Sequence, residues 1–257
     1  MQPNATKAKL LKGELVFGPL LAYPDPSLVE LAAEAGMDFV RIDCEHGPMT
    51  LETIDNMCRA AEAAGITPMA RIPANREEVV LGYMDRGLAG IYFPHISTPE
   101  DARAAVRHMK FSPMGERGFS GRGGNVRWTL GIKEPNAHEF ANRETMCVCL
   151  VEDMEGFGNI EQIAVVEGVD VVFIGPGDLS QSMGYPGQPN HPEVLKAIED
   201  AVRRVRSVGK AVGITMNNPT DPAAGKRFAA IGMQVFNIGA AALFAWAMRD
   251  FVARIKA

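Results

Sequence analysis

Five short stretches of this chain carry side chains suited to acid–base or metal chemistry. FVRIDCEHGP (39–48) places Asp43, Glu45 and His46 within four residues, directly after an apolar run. ARIP (70–73) supplies Arg71, and GIYFPH (90–95) ends on His95. LVED (150–153) supplies Glu152 and Asp153, and FIGPGD (173–178) runs through Gly175, Pro176 and Gly177 to Asp178. Carboxylates from separate strands suit a hard divalent cation such as Mg²⁺, which takes oxygen ligands and keeps positions for water or substrate. A guanidinium beside them can stabilise charge developing on an oxygen, and a histidine titrates where it can move protons. A Schiff-base mechanism would need a lysine in the same place. Lys210 opens an apolar run rather than ending one, and the other lysines fall in helical stretches, loops or termini.

These stretches need a frame that brings them together. Short apolar runs alternate with amphipathic ones: 15–19, 38–43, 67–73, 90–95, 146–153, 170–178, 210–216 and 233–239 read as strands. The helical stretches between and after them are 25–36, 50–65, 75–87, 98–110, 159–168, 191–209, 221–232 and 241–257. Asp25 with Pro26, and Thr98 with Pro99, read as helix starts, and Gly36 and Gly65 as stops. Such alternation implies parallel strands with right-handed crossovers. Eight strand–helix pairs in 257 residues predict a single (β/α)₈ TIM-barrel domain over 1–257. A doubly wound open sheet is the runner-up. It would show a glycine fingerprint after its first strand, where this chain has GPLLAYPDP. Residues 111–145 break the alternation. Their arginines and glycines (Arg117, Arg122 and Arg127; Gly121, Gly123 and Gly124) fit either a surface excursion or an anion-facing loop.

A barrel places its chemistry at the C-terminal strand ends, and the polar residues of the five opening stretches fall at such ends. Each also has a plainer use. Asp178 could cap the helix that starts LSQSM, Glu152 could sit in a structural ion pair, Arg71 could pair with a helix acid, and His46 and His95 could be ordinary turn histidines. Their convergence on one face favours a site. Asn217, Asn218 and Asn237 close the last two strands.

Composition removes other classes. The chain is 47% hydrophobic and 22% charged with a net charge of −5, which disfavours nucleic acid and anionic membranes as partners. Cys44, Cys58, Cys147 and Cys149 form no C-x-x-C and read as buried thiols rather than a disulfide framework. The opening MQPNATKAKLLKGE lacks the apolar core of a secretory leader, and no run approaches the ~20 apolar residues of a spanning helix, so a cytoplasmic protein is expected.

At DFVRIDCEHGP, ARIP, GERG, LVED and GVDVVFIGPGDLSQSMGYPGQPNHPEV, in that order, the chain resembles the HpcH/HpaI family of class II (metal-dependent) 2-oxo acid aldolases. This group includes 4-hydroxy-2-oxoheptanedioate and 2-dehydro-3-deoxyglucarate aldolases, enzymes of aromatic and sugar acid catabolism. The resemblance implies reversible cleavage of a 4-hydroxy-2-oxo acid to pyruvate, or hydroxypyruvate, and an aldehyde. It implies that Glu152 and Asp178 ligate Mg²⁺, Mn²⁺ or Co²⁺ and that Arg71 holds the 2-oxo oxygen. His46, oriented by Asp43, would move protons, and the Gly177 and Asp178 amides would hold the substrate carboxylate. It also implies a hexamer, a trimer of dimers, whose last helix is exchanged between subunits and in which Asp85 lies near a neighbour's site. Leu150, where some members carry glutamine, and Gly177, where alanine or asparagine is usual, depart from the pattern and leave the acceptor aldehyde open. A metal-dependent decarboxylase of oxaloacetate is the alternative that shares the same enolate chemistry. A CoA-ester lyase of the citrate lyase beta type is a more distant one.

Overall fold

A computed structural model describes residues 2–120, 137–216, 218 and 220–256. Eight parallel strands close into a barrel in chain order: β1 (Val16–Leu21), β2 (Phe39–Asp43), β3 (Thr67–Arg71), β4 (Gly90–Phe93), β5 (Met146–Val151), β6 (Val171–Ile174), β7 (Ala211–Met216) and β8 (Val235–Gly239). The ring shuts where Val16 pairs with Val235 and Leu20 with Gly239. The helices are α1 (Ala5–Leu11), α2 (Pro26–Glu34), α3 (Leu51–Ala64), α4 (Glu77–Met84), α5 (Pro99–Met109), α6 (Ala137–Glu144), α7 (Met154–Gly158), α8 (Ile160–Ala164), α9 (Pro176–Ser182), α10 (Pro192–Ser207), α11 (Pro222–Ala230) and α12 (Ala240–Lys256). The (β/α)₈ barrel expected from the alternation is the fold observed.

Local chemistry sets the element ends. The Asp25 carboxylate accepts from the Ser27 amide at the start of α2, and Thr98 and Asp101 form a reciprocal capping box on α5. Gly65 ends α3 at φ +74, a left-handed conformation that glycine adopts without steric cost.

Strand alternation divides the core into two layers. Val16, Phe39, Met69, Tyr92, Leu150 and Phe173 fill the barrel interior. Val40, Ile42, Ala70, Ile91, Cys149 and Val172 face outward against the helices. Each fully buried apolar side chain of this size contributes about 1.5–3 kcal/mol relative to exposure. All four cysteines are free and buried. The interior has little slack: a Cβ on Gly213 would stand 2.6 Å from the Phe173 ring.

Three features escaped the periodicity, one of them α9, which begins at Pro176 inside the run 170–178 expected as a strand. α1 closes the N-terminal end of the barrel, where Thr6 Oγ1 lies 2.9 Å from the Asp38 carbonyl oxygen and 2.8 Å from Thr67 Oγ1. The excursion between α5 and β5 contains α6, whose C-terminal end is held by buried Lys110: its Nζ donates to the Asn142 carbonyl, the Thr145 carbonyl and Thr145 Oγ1. The helix expected over 159–168 starts earlier and breaks in two, because Asp153 caps α7 by accepting from the Gly156 amide at 2.7 Å. No helix among the described residues is long and apolar enough to cross a membrane.

Candidate active site

β2 turns Phe39, Arg41 and Asp43 into the barrel, and its register sets Asp43 beside Arg71 at the end of β3. Arg71 Nε donates to Asp43 Oδ1 at 3.1 Å and Nη2 to Oδ2 at 2.7 Å, a two-point fork. Its third nitrogen, Nη1, lies 3.0 Å from Glu45 Oε2. Burial opposes ionisation of Asp43, but the hydrogen bonds and charge of Arg71 outweigh it and hold the carboxyl below its ordinary range. Burial likewise works against the Arg71 charge, and Asp43 more than restores it.

This arrangement corrects the expected pairing of Asp43 with the His46 ring. Asp43 meets His46 only through the His46 backbone amide, at 3.3 Å, because both its oxygens already receive Arg71. The His46 side chain is 69% exposed at the rim, with Nε2 3.9 Å from Glu45 Oε2. Glu45 is a hub: its Oε1 also lies 3.2 Å from His95 Nε2.

Glu152 at the end of β5 is only 5% exposed. Its Oε1 accepts from the His95 backbone amide at 3.3 Å and lies 3.0 Å from His95 Nδ1. A Cβ on Gly175 would sit 2.7 Å from Glu152 Oε2, so glycine at the end of β6 is what lets this carboxylate lie there. Burial, and then the nearby Asp178 carboxylate, push Glu152 up to about 7 against the pull of His95. His95 is the one described non-glycine residue with positive φ, at +53. That strain is of the kind concentrated at functional sites.

Asp178 stands exposed in the first turn of α9 and is not its cap: the N-cap position is Gly175, with no side-chain capping bond. Gly177 beside it faces open space. Asp85 is not brought to this cluster. It caps the C-terminal end of α4 and accepts from Arg117 Nη2 at 2.6 Å, just before β4 begins, which is the opposite end of the barrel. Asp153 caps α7, Asn218 accepts from the Thr220 amide, and Asn237 is buried inside the barrel. Gly121, Arg122, Gly123, Gly124, Arg127 and Asn217 lie outside the described residues.

Glu152 and Asp178 could hold a divalent cation. The fit rests on a buried carboxylate whose ionisation is opposed by burial and by a second acid, a situation that a cation relieves. No group of three or more His, Cys, Asp or Glu side chains placed to hold a metal occurs among the described residues, so the protein's share would be this pair.

A closed parallel barrel with carboxylates, a fixed guanidinium and histidines at its C-terminal strand ends is a barrel of the enzyme class. The profile of the HpcH/HpaI aldolase/citrate lyase family matches residues 19–241, and the chain belongs to that family. It is 36% identical to a pyruvate aldolase of Rhizobium etli, over 90% of this chain and 92% of that one. It is 35% identical to a hydroxypyruvate/pyruvate aldolase of Pseudomonas aeruginosa, over 98% and 93%. A family member of known structure from Burkholderia cenocepacia superposes with a TM-score of 0.91 at 30% identity, covering 99% of this chain and 100% of that one.

Proposed function

We propose that the protein is a class II aldolase, a carbon–carbon lyase that reversibly cleaves a 4-hydroxy-2-oxo acid to pyruvate or hydroxypyruvate and an aldehyde. Membership of the family and the aldolase relatives support the reaction class. The observation that carries the mechanism is the buried Glu152 carboxylate set beside the Asp43–Arg71–Glu45 cluster at the strand ends. Breaking the C3–C4 bond of such an acid puts negative charge on the C2 oxygen, and a site must stabilise that charge.

A divalent cation (Mg²⁺, Mn²⁺ or Co²⁺) held by Glu152 and Asp178 would supply a Lewis acid for the 2-oxo acid. Arg71 offers five N–H groups, of which Asp43 engages two, and its remaining N–H groups, with Nη1 3.0 Å from Glu45 Oε2, are available to the C2 oxygen. Asp43 fixes the plane of that guanidinium. The Gly177 and Asp178 amides, in the unpaired first turn of α9, hold the substrate carboxylate. His46, at the rim beside Glu45, takes the proton of the C4 hydroxyl in cleavage and returns it in synthesis. Asp85 can serve only a neighbouring copy's site.

That last role requires an assembly, which α12 supports. No residue of α12 is buried, and Phe244, Phe251 and Ile255 are 65–70% exposed. The outer face of the β8–β1 seam instead borders a cavity of about 350 Å³ lined by Leu15, Phe17, Met216, Ala229, Phe236 and Ile238. A helix following β8 belongs on that seam. In this reading each α12 covers the seam of a partner within a hexamer.

Cleavage of a 4-hydroxy-2-oxo acid, followed with and without EDTA, tests the proposal. Wild type should lose activity to EDTA and regain it with Mg²⁺. Glu152→Gln should stay inactive, and His46→Ala should fall by roughly 10²–10⁴ while still binding the cation. Cleavage that survives both Glu152→Gln and EDTA contradicts the metal role, and carbon dioxide released without an aldehyde contradicts the aldolase.

A further inference from the structure

Arg41 lies inside the barrel, one inward position below Asp43 on β2, and is 2% exposed. Its guanidinium carbon stands 4.5 Å from the centroid of the Tyr92 ring and 5.0 Å from that of Phe173. Nη1 reaches across to β7 and β8, donating to Thr215 Oγ1 at 3.3 Å and to Asn237 Oδ1 at 3.4 Å, both long bonds. The Asn237 amide is turned for this, since its Nδ2 donates to the Gly18 carbonyl. No carboxylate forms an ion pair with Arg41 among the described residues, and both Arg41 Nε and the Tyr92 hydroxyl lack a hydrogen-bond partner.

A buried cation with no anionic partner costs folding energy, and an apolar side chain of similar length would fill this layer of Phe39, Met69, Leu150 and Phe173 without that cost. The charge therefore calls for a use outside packing. Above it stand four carboxylates, Asp43, Glu45, Glu152 and Asp178, against the one guanidinium of Arg71. Asp43 and Glu152 are close enough to favour the Arg41 charge, and Arg71 close enough to oppose it. Burial lowers Arg41 to about 10, so it is still a cation at neutral pH.

We propose that Arg41 is a specificity-determining charge, a fixed positive floor that offsets the acid-rich site and so admits an anionic 2-oxo acid. It touches neither substrate nor cation. The inference rests on the metal-dependent aldolase reading above, and it makes a prediction of opposite signs. Removing the charge relieves repulsion of a divalent cation and weakens attraction of an anion. A packing role alone would weaken both.

The test is calorimetric titration of Mn²⁺ into the protein, then of oxalate into the Mn²⁺-saturated protein. It compares wild type with Arg41→Met, Arg41→Gln and Arg41→Lys, each checked for a cooperative thermal transition. Arg41→Gln keeps hydrogen-bonding groups for Thr215 and Asn237 should Arg41→Met fail to fold. Either neutral variant should bind Mn²⁺ roughly three- to tenfold tighter and oxalate about tenfold weaker, and Arg41→Lys should stay near wild type in both. Affinities that both hold or both fall in a folded neutral variant overturn the proposal while leaving the aldolase reading standing. Wild type that binds no Mn²⁺ overturns both.

Discussion

Glu152 joins the site's electrostatics to its stability. Its value of about 7, against an ordinary 4.5, means that the folded chain holds a proton there which the unfolded chain has released across that window. Folding stability contributed by this group therefore falls as pH rises from about 4.5 to about 7, and the penalty is complete above it. A cation bound at the carboxylate removes that penalty. Scanning calorimetry should show a larger Mg²⁺-induced rise in Tm at pH 8 than at pH 5.5, with most of the difference gone in Glu152→Gln. Equal rises at both pH values would contradict the assignment. Arg71, Glu152 and Asp178 were legible in the sequence because each closes or follows an apolar run. The pairing of Asp43 with Arg71 was not, because it depends on the register of β2 against β3. Glu45 and His95 lie beyond the last strand residue, where alternation no longer says which way a side chain points. Arg41 could have been noticed as a charge on the same strand face as Asp43, two residues earlier in FVRID.

At the scale of elements, the strands were legible because β-branched and apolar runs alternate with capped amphipathic helices. α1 and α6 were not, since both are short and stand outside that alternation. Among the contacts that hold α6 in place is a buried amine. Burial pushes Lys110 down to about 8, yet its three hydrogen bonds tie the end of the excursion to the start of β5. Lys110→Met removes a donor from the Asn142 carbonyl, while the Thr145 carbonyl keeps Lys7 Nζ, and should destabilise the fold by about 1–3 kcal/mol in thermal or denaturant unfolding. The fully folded variant should keep its KM for the 2-oxo acid, because this anchor lies at the N-terminal end of the barrel. An altered KM with unchanged stability would contradict that placement.

At the scale of the molecule, α12 was legible as a helix, but not its lack of burial. Phe244, Trp246, Phe251 and Ile255 are exposed on α12, the apolar surface that the proposed exchange between subunits would cover. Analytical ultracentrifugation should find wild type as an oligomer, and Phe244→Glu combined with Phe251→Glu should drive it toward the 27.8 kDa monomer. If Asp85 serves a neighbouring site, activity falls with the assembly. An unchanged mass in the double variant would contradict the exchange of α12.

The strand-end cluster, with a divalent cation, is proposed to stabilise the enolate of a 2-oxo acid. Proton–deuterium exchange at the pyruvate methyl group, followed by NMR in D₂O without any aldehyde, isolates that step. Wild type should exchange with Mg²⁺ or Mn²⁺, and EDTA, Glu152→Gln and Arg71→Ala should each abolish it. Exchange at the wild-type rate in Glu152→Gln with EDTA present would contradict that proposal.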